Sequence, residues 1–140
     1  MVNSYYVAQE SELIPGVPTL RRKTLSIDDD DPVIIDQEIA PGVENIQIQY
    51  GVDVDGDNAV DRYVNPGSAI YDPTDTTGVY IPGTRILTAR LWLLVRSITQ
   101  EPGLQDDASY QPGNATAVTP ADNFRRMQIS KTILLRNTRI

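Results

Sequence analysis

The chain has 140 residues, a formal net charge of −7, and neither cysteine nor histidine. That length suits one domain, residues 1–140, with a core that needs no staples. The acidic balance argues against nucleic acid and anionic lipid as partners, and the two missing residue types remove disulfides, thiolate chemistry, the Ser-His-Asp triad and most zinc sites.

From the N-terminus, Val2–Ala8 is rich in β-branched and aromatic residues and predicts a strand. Glu10–Pro18 contains Pro15-Gly16 and Pro18 and reads as a loop. Thr19–Ser26 predicts a second strand, antiparallel to the first, and its Arg21-Arg22-Lys23 triplet reads as a solvated edge that resists aggregation. Asp28–Asp31 with Pro32 is an acidic turn, with a second cation site as the minority reading. Val33–Ala40 fits a short strand or one helical turn, and Pro41-Gly42 breaks the chain.

Val43–Val52 follows as a strand, with Ile46, Ile48, Tyr50 and Val52 alternating on one face. It runs into Asp53-Val54-Asp55-Gly56-Asp57-Asn58-Ala59-Val60-Asp61, which places carboxylates at loop positions 1, 3, 5 and 9. This is the oxygen-ligand spacing of an EF-hand-type calcium loop. Alternate residues of a tight loop point inward, so Asp53, Asp55, Asp57, the Ala59 carbonyl and Asp61 form the candidate ligand set. Two carboxylates about 4 Å apart repel by roughly 4 kcal/mol at an effective dielectric of about 20, so four that converge call for a cation, protonation or disorder. Magnesium suits the loop less, because it demands a tighter octahedron. The match is incomplete. Position 6 is Asn58, which tolerates the left-handed conformation, and position 12 is Val64 rather than a bidentate Glu. Affinity is expected in the range of about 10⁻⁶ to 10⁻³ M. The plain alternative is a solvated Asp/Gly-rich hairpin turn.

Asn65–Gly83 is a long Pro/Gly/Thr/Asp loop, in which Asp72 and Asp75 are candidates for extra cation ligands. Arg85–Ser97 is the strongest strand, with Leu87, Ala89, Leu91, Leu93 and Val95 on one face. Trp92 on the other face reads as core, or as lying under a loop. Its five-residue run Leu91–Val95 is the longest apolar stretch, far short of the roughly 20 residues that span a bilayer. Gln100–Asp122 is a second polar loop, and Phe124–Asn137 the last strand, with Met127, Ile129, Ile133 and Leu135 on one face, interrupted by Lys131. No helical period is sustained, and no signal peptide pattern is visible at the start. The expected core is Ile46, Ile48, Tyr50, Leu91, Leu93, Val95, Ile129 and Ile133. The fold expected is predominantly antiparallel β. No carboxylate pair stands out as catalytic, so an enzyme is not expected.

Three pieces read together: Tyr50-Gly51-Val52-Asp53 into Asp55-Gly56-Asp57 and Asp61-Arg62-Tyr63; Trp92-Leu93-Leu94-Val95-Arg96-Ser97; and Arg125-Arg126 followed by Leu134-Leu135-Arg136-Asn137. In this order and spacing they resemble the C-terminal part of the PilW family of type IV pilus assembly minor pilins. Asn3-Ser4-Tyr5-Tyr6-Val7 and Leu20-Arg21-Arg22 look like the same family's first hairpin. The resemblance implies an α+β class with a predominantly antiparallel β, pilin-like head, similar to the J-type minor pseudopilins of type II secretion. It implies a structural role in an initiating or tip complex, with other minor pilins or pilin subunits as partners, in the bacterial cell envelope or at the cell surface. It implies membrane contact only through a processed N-terminal helix that this chain lacks. The alternative is a stand-alone, secreted, calcium-dependent adhesin or carbohydrate-binding module. The encoded residues upstream of Val2 discriminate the two.

Overall fold

A computed structural model describes residues 2–28 and 30–135. Its strands are β1 (Asn3–Ala8), β2 (Thr19–Asp28), β3 (Asp31–Pro41), β4 (Val43–Asp53), β5 (Arg62–Val64), β6 (Arg85–Arg96) and β7 (Arg126–Leu134). The single 3₁₀ turn among the described residues, Ala69–Tyr71, starts at Ser68, whose hydroxyl accepts from the Ile70 amide. The antiparallel β expectation therefore holds. The α component of the α+β expectation has no counterpart among the described residues.

The strands form two sheets, one ordered β1-β2-β3 and the other β5-β4-β6-β7. In the first, β1 pairs antiparallel with β2, and β2 with β3, from Thr19 opposite Pro41 to Asp28 opposite Asp31. The register slips at Leu20/Arg21, a bulge that adds local twist. Thus β3 is an eleven-residue strand and not a helical turn. Proline at its two ends does not disqualify it, because it lies at a sheet edge where a missing donor is tolerated.

In the second sheet, β4 and β5 pair antiparallel, with Gly51 opposite Tyr63. The Arg96 amide donates to the Gly42 carbonyl at 2.7 Å, so the end of β6 meets the start of β4. The Ser97 amide donates to Arg125 and the Leu135 amide to Leu87, both at 2.8 Å, which makes β6 and β7 antiparallel as well. Gly42 is the hinge between the sheets. It carries φ +85°, and a Cβ there would lie 2.5 Å from the Arg96 carbonyl oxygen. Only glycine meets both demands, so the chain leaves β3 and enters β4 within one residue.

Contacts divide the chain into two compact units, Met1–Ile46 with Leu93–Ile129, and Gln47–Trp92 with Ser130–Ile140. In the first unit, Val17, Val43 and Leu94 are the buried apolar residues. In the second they are Val52, Ile70, Leu87 and Ala89. There the Asn65–Gly83 loop acts as a cover. Its 3₁₀ turn buries Ile70, and Tyr71 meets Tyr50 edge-on with ring centroids 6.2 Å apart.

The expected core needs correction on β7. Ile46, Leu93 and Val95 of the first unit and Ile48, Tyr50 and Leu91 of the second are mostly covered, as expected, without being fully buried. Ile129 and Ile133 are exposed. Period-two alternation assigns these residues to one face, but it does not say whether anything covers that face. On β6 the buried residue near the end is Leu94, on the face opposite Leu93.

Candidate functional site

Strand β4 delivers Asp53 into the second unit with no exposed surface. An isolated carboxylate there would be prohibitively costly, so it must be paired. One of its oxygens accepts from the Gly56 amide at 2.7 Å. The other accepts from the Asn58 amide at 3.0 Å and from Arg85 Nη2 at 2.7 Å. Burial opposes the charge on Asp53. The hydrogen bonds from Gly56, Arg85 and Asn58 outweigh it and hold the pKa below the ordinary carboxylate range.

The loop closes around these bonds. Asn58 takes φ 67°, the left-handed conformation that its residue type tolerates. Asp61 Oδ2 accepts from the Val54 amide at 2.7 Å, and the Asp61 amide donates to the Val52 carbonyl at 2.9 Å. Asp53, Asp55 and Asp61 each bring a carboxylate oxygen within 4.8 Å of the others. Asp57 lies outside that group and accepts from the Ala59 amide at 2.7 Å. Asp72 and Asp75 also lie outside it. Each closes a local turn, onto Thr74 and onto Thr77 respectively.

Arg85 is the residue that sequence reading missed. It lies 32 positions from Asp53 and belongs to no loop motif. The only general signal for it is the rule that a buried carboxylate needs a partner. Its guanidinium sits on the carboxylate that an incoming cation would use, so the loop is partly self-neutralised.

A second charged constellation lies in the first unit. The Arg126 side chain is 3 % exposed. It binds Glu44 through Nε at 2.7 Å and Nη2 at 2.9 Å. It binds Asp122 through Nη1 at 2.6 Å and Nη2 at 2.8 Å. Its Nη1 also reaches Asp106 at 3.3 Å, and Asp106 accepts from the Tyr110 hydroxyl. The Arg126 hydrogen bonds push the Asp122 pKa down to about 2. Nearby, Arg96 stacks 4.0 Å from the Phe124 ring centroid and donates to the Gly16 carbonyl at 2.7 Å. The Arg126 fork is filled by carboxylates on both sides, so this knot pins loops to strands.

Next to the knot the first unit is apolar and open. The Ser97–Arg125 bond sets a period that places Val95 beside Met127 and Leu93 beside Ile129 on one face of β6 and β7. Met127 is 58 % exposed, and β7 is the last strand of its sheet. No helix among the described residues is long and apolar enough to cross a membrane.

Comparison with curated proteins and with solved structures found no match. The family model of the type IV pilus-assembly protein W, PilW, matches residues 4–137, and on that match the chain belongs to the PilW family.

Proposed function

We propose that this chain is the β-rich, pilin-like head of a minor pilin, which acts by docking onto other pilin subunits and not by turning over a substrate. Membership of a pilus-assembly family supports a structural role at the bacterial envelope or surface. The observation that carries the docking reading is the open apolar face of Leu93, Val95, Met127 and Ile129 beside a free sheet edge. Such a face favours a partner, because contiguous exposed apolar surface is rare on proteins that act alone. The test is complementation in a strain that lacks the encoding gene. The unaltered gene is expected to restore surface pili, and a Met127→Glu/Ile129→Glu version to fail although the protein accumulates and melts normally. Full restoration by the double variant would refute the docking reading. Glycan binding with no effect on piliation would favour the adhesin alternative.

We further propose that the Asp53–Asp61 loop takes Ca²⁺ weakly, through Asp53, Asp55 and Asp61, with Asp57 and the Ala59 carbonyl as additional oxygens. The three converging carboxylates support this reading, and competition from Arg85 fits weak affinity. Binding to the folded form alone adds RT ln(1 + [L]/Kd), about 2.7 kcal/mol at a hundredfold excess over Kd. Melting in calcium and then in chelator should show that gain, and Asp53→Asn/Asp55→Asn should abolish the calcium response. An unchanged melting temperature at about 10 mM calcium would make the loop a simple acidic turn.

A further inference from the structure

The β2–β3 hairpin divides sharply along its length. Its base is polar and internally satisfied. Arg21 is buried there and pairs with Glu12 at 2.8 Å and Asp36 at 2.9 Å. Ser11 donates to Glu38 at 2.8 Å, which fastens the preceding loop. Towards the tip the same face turns apolar. Leu25 stands opposite Ile34, and Ile27 opposite Pro32. Val2, Leu25, Ile27 and Ile34 are each more than half exposed, and Ile27 reaches 74 %. Val2, Leu25 and Ile34 line a shallow depression of about 320 Å³. Ile35, on the other face of β3, is also half exposed.

At the apolar tip β2 ends at Asp28 and β3 begins at Asp31, with Asp30 between them. Among the described residues no Lys or Arg pairs with Asp28, Asp30 or Asp31. Lys23, the nearest cation on β2, rests its ammonium 5.1 Å from the Tyr6 ring centroid. An apolar patch headed by uncompensated negative charge has a defined complement. Anionic lipid would repel the turn before the patch could bury. A second copy that met it tip to tip would set Asp28, Asp30 and Asp31 against their own like charges. A protein groove that is apolar along its walls and carries Lys or Arg at its end satisfies both parts.

We propose that the tip of the β2–β3 hairpin inserts into such a groove on another subunit of the pilus assembly. The partner's identity as a pilus subunit rests on the function proposed above. The surface lies on the β1-β2-β3 sheet and shares no residue with the Met127 face, which lies on the other sheet.

The experiment uses the full-length protein in its own cells, with a photo-crosslinking amino acid at Ile27 or Ile34. Leu13, an exposed residue in the loop of the same unit, is the control position. A discrete adduct to another pilus subunit from Ile27 and Ile34, but not from Leu13, is the expected result. Charge reversal at Asp28, Asp30 and Asp31 to Lys should cut its yield about tenfold and make the remainder insensitive to salt. Adducts only to lipid, adducts only to a second copy, equal yield from Leu13, or indifference to the charge reversal would each overturn the proposal. Piliation separates the two readings. If loss of the gene abolishes pili and Ile27→Asp/Ile34→Asp restores them fully, the hairpin proposal falls and the assembly role stands. If loss of the gene leaves piliation intact, the assembly role falls, and the crosslinking result still decides the hairpin.

Discussion

The Arg126 knot and the Asp53 loop solve the same problem in opposite ways. In the knot, one buried guanidinium gathers Glu44, Asp106 and Asp122 from positions up to 82 residues apart. In the loop, one buried carboxylate gathers amides from its own next five residues and a single distant arginine. The knot is saturated by fixed protein charge. The loop leaves Asp55 and Asp61 exposed beside Asp53. The local constellation keeps exposed, unneutralised charge, and the long-range one is a fastening.

The sharpest way to break this comparison is Arg126→Ala. It strands three carboxylates, one of them nearly buried, and should cost about 3–5 kcal/mol in chemical denaturation. Arg126→Lys should recover little, because an ammonium cannot replace two bidentate pairs. A loss below about 1 kcal/mol would mean that the knot is ornamental. Next come the apolar residues. Leu87→Ala and Leu94→Ala should each cost about 2–5 kcal/mol. Ile129→Ala, on the open face, should stay within about 1 kcal/mol. Equal losses at Leu94 and Ile129 would show that β7 is covered in the isolated protein.

Acid sharpens the comparison further. The Asp122 pKa falls to about 2 from an ordinary 3.8. A depressed folded-state pKa means that its contribution is complete above the ordinary carboxylate range. It is lost as pH falls from about 4 through about 2. Asp36, Glu38, Asp53 and Glu101 are shifted in the same direction. The melting temperature should be flat near neutrality and drop below about pH 4. Asp122→Asn should lower the neutral plateau and shallow the acid limb, and a steep loss near pH 6 would contradict the assignment. Arg85→Met tests the loop itself, because it leaves the buried Asp53 with only its two amide donors. It should lower stability in chelator and, if the proposed calcium site exists, enlarge the gain on adding calcium, because it removes the competitor for Asp53. If calcium stabilised the variant no more than the unaltered protein, Arg85 would not be a competitor.

Much of the fold was legible because strand patterning is local. The alternation in Val43–Val52 and Arg85–Ser97 marked β4 and β6 to within a residue. β3 was ambiguous because prolines bracket it and Asp36-Gln37-Glu38 interrupts its apolar residues. Burial was less legible than faces. Ile129 and Ile133 alternate like core residues, yet the strand that carries them ends its sheet. At the candidate site the loop carboxylates and the left-handed Asn58 were readable from spacing and residue type. Arg85 and the partners of Arg126 were not, because they come from distant parts of the chain.

The central claim is that the open face of β7 is an interface. Amide hydrogen exchange measures it most directly, in the protein alone and mixed with other components of the same pilus assembly. Exchange over Arg126–Leu134 should slow on mixing, and Met127→Glu/Ile129→Glu should remove that protection. Binding that protects other segments and leaves β7 exchanging at its free rate would contradict the account.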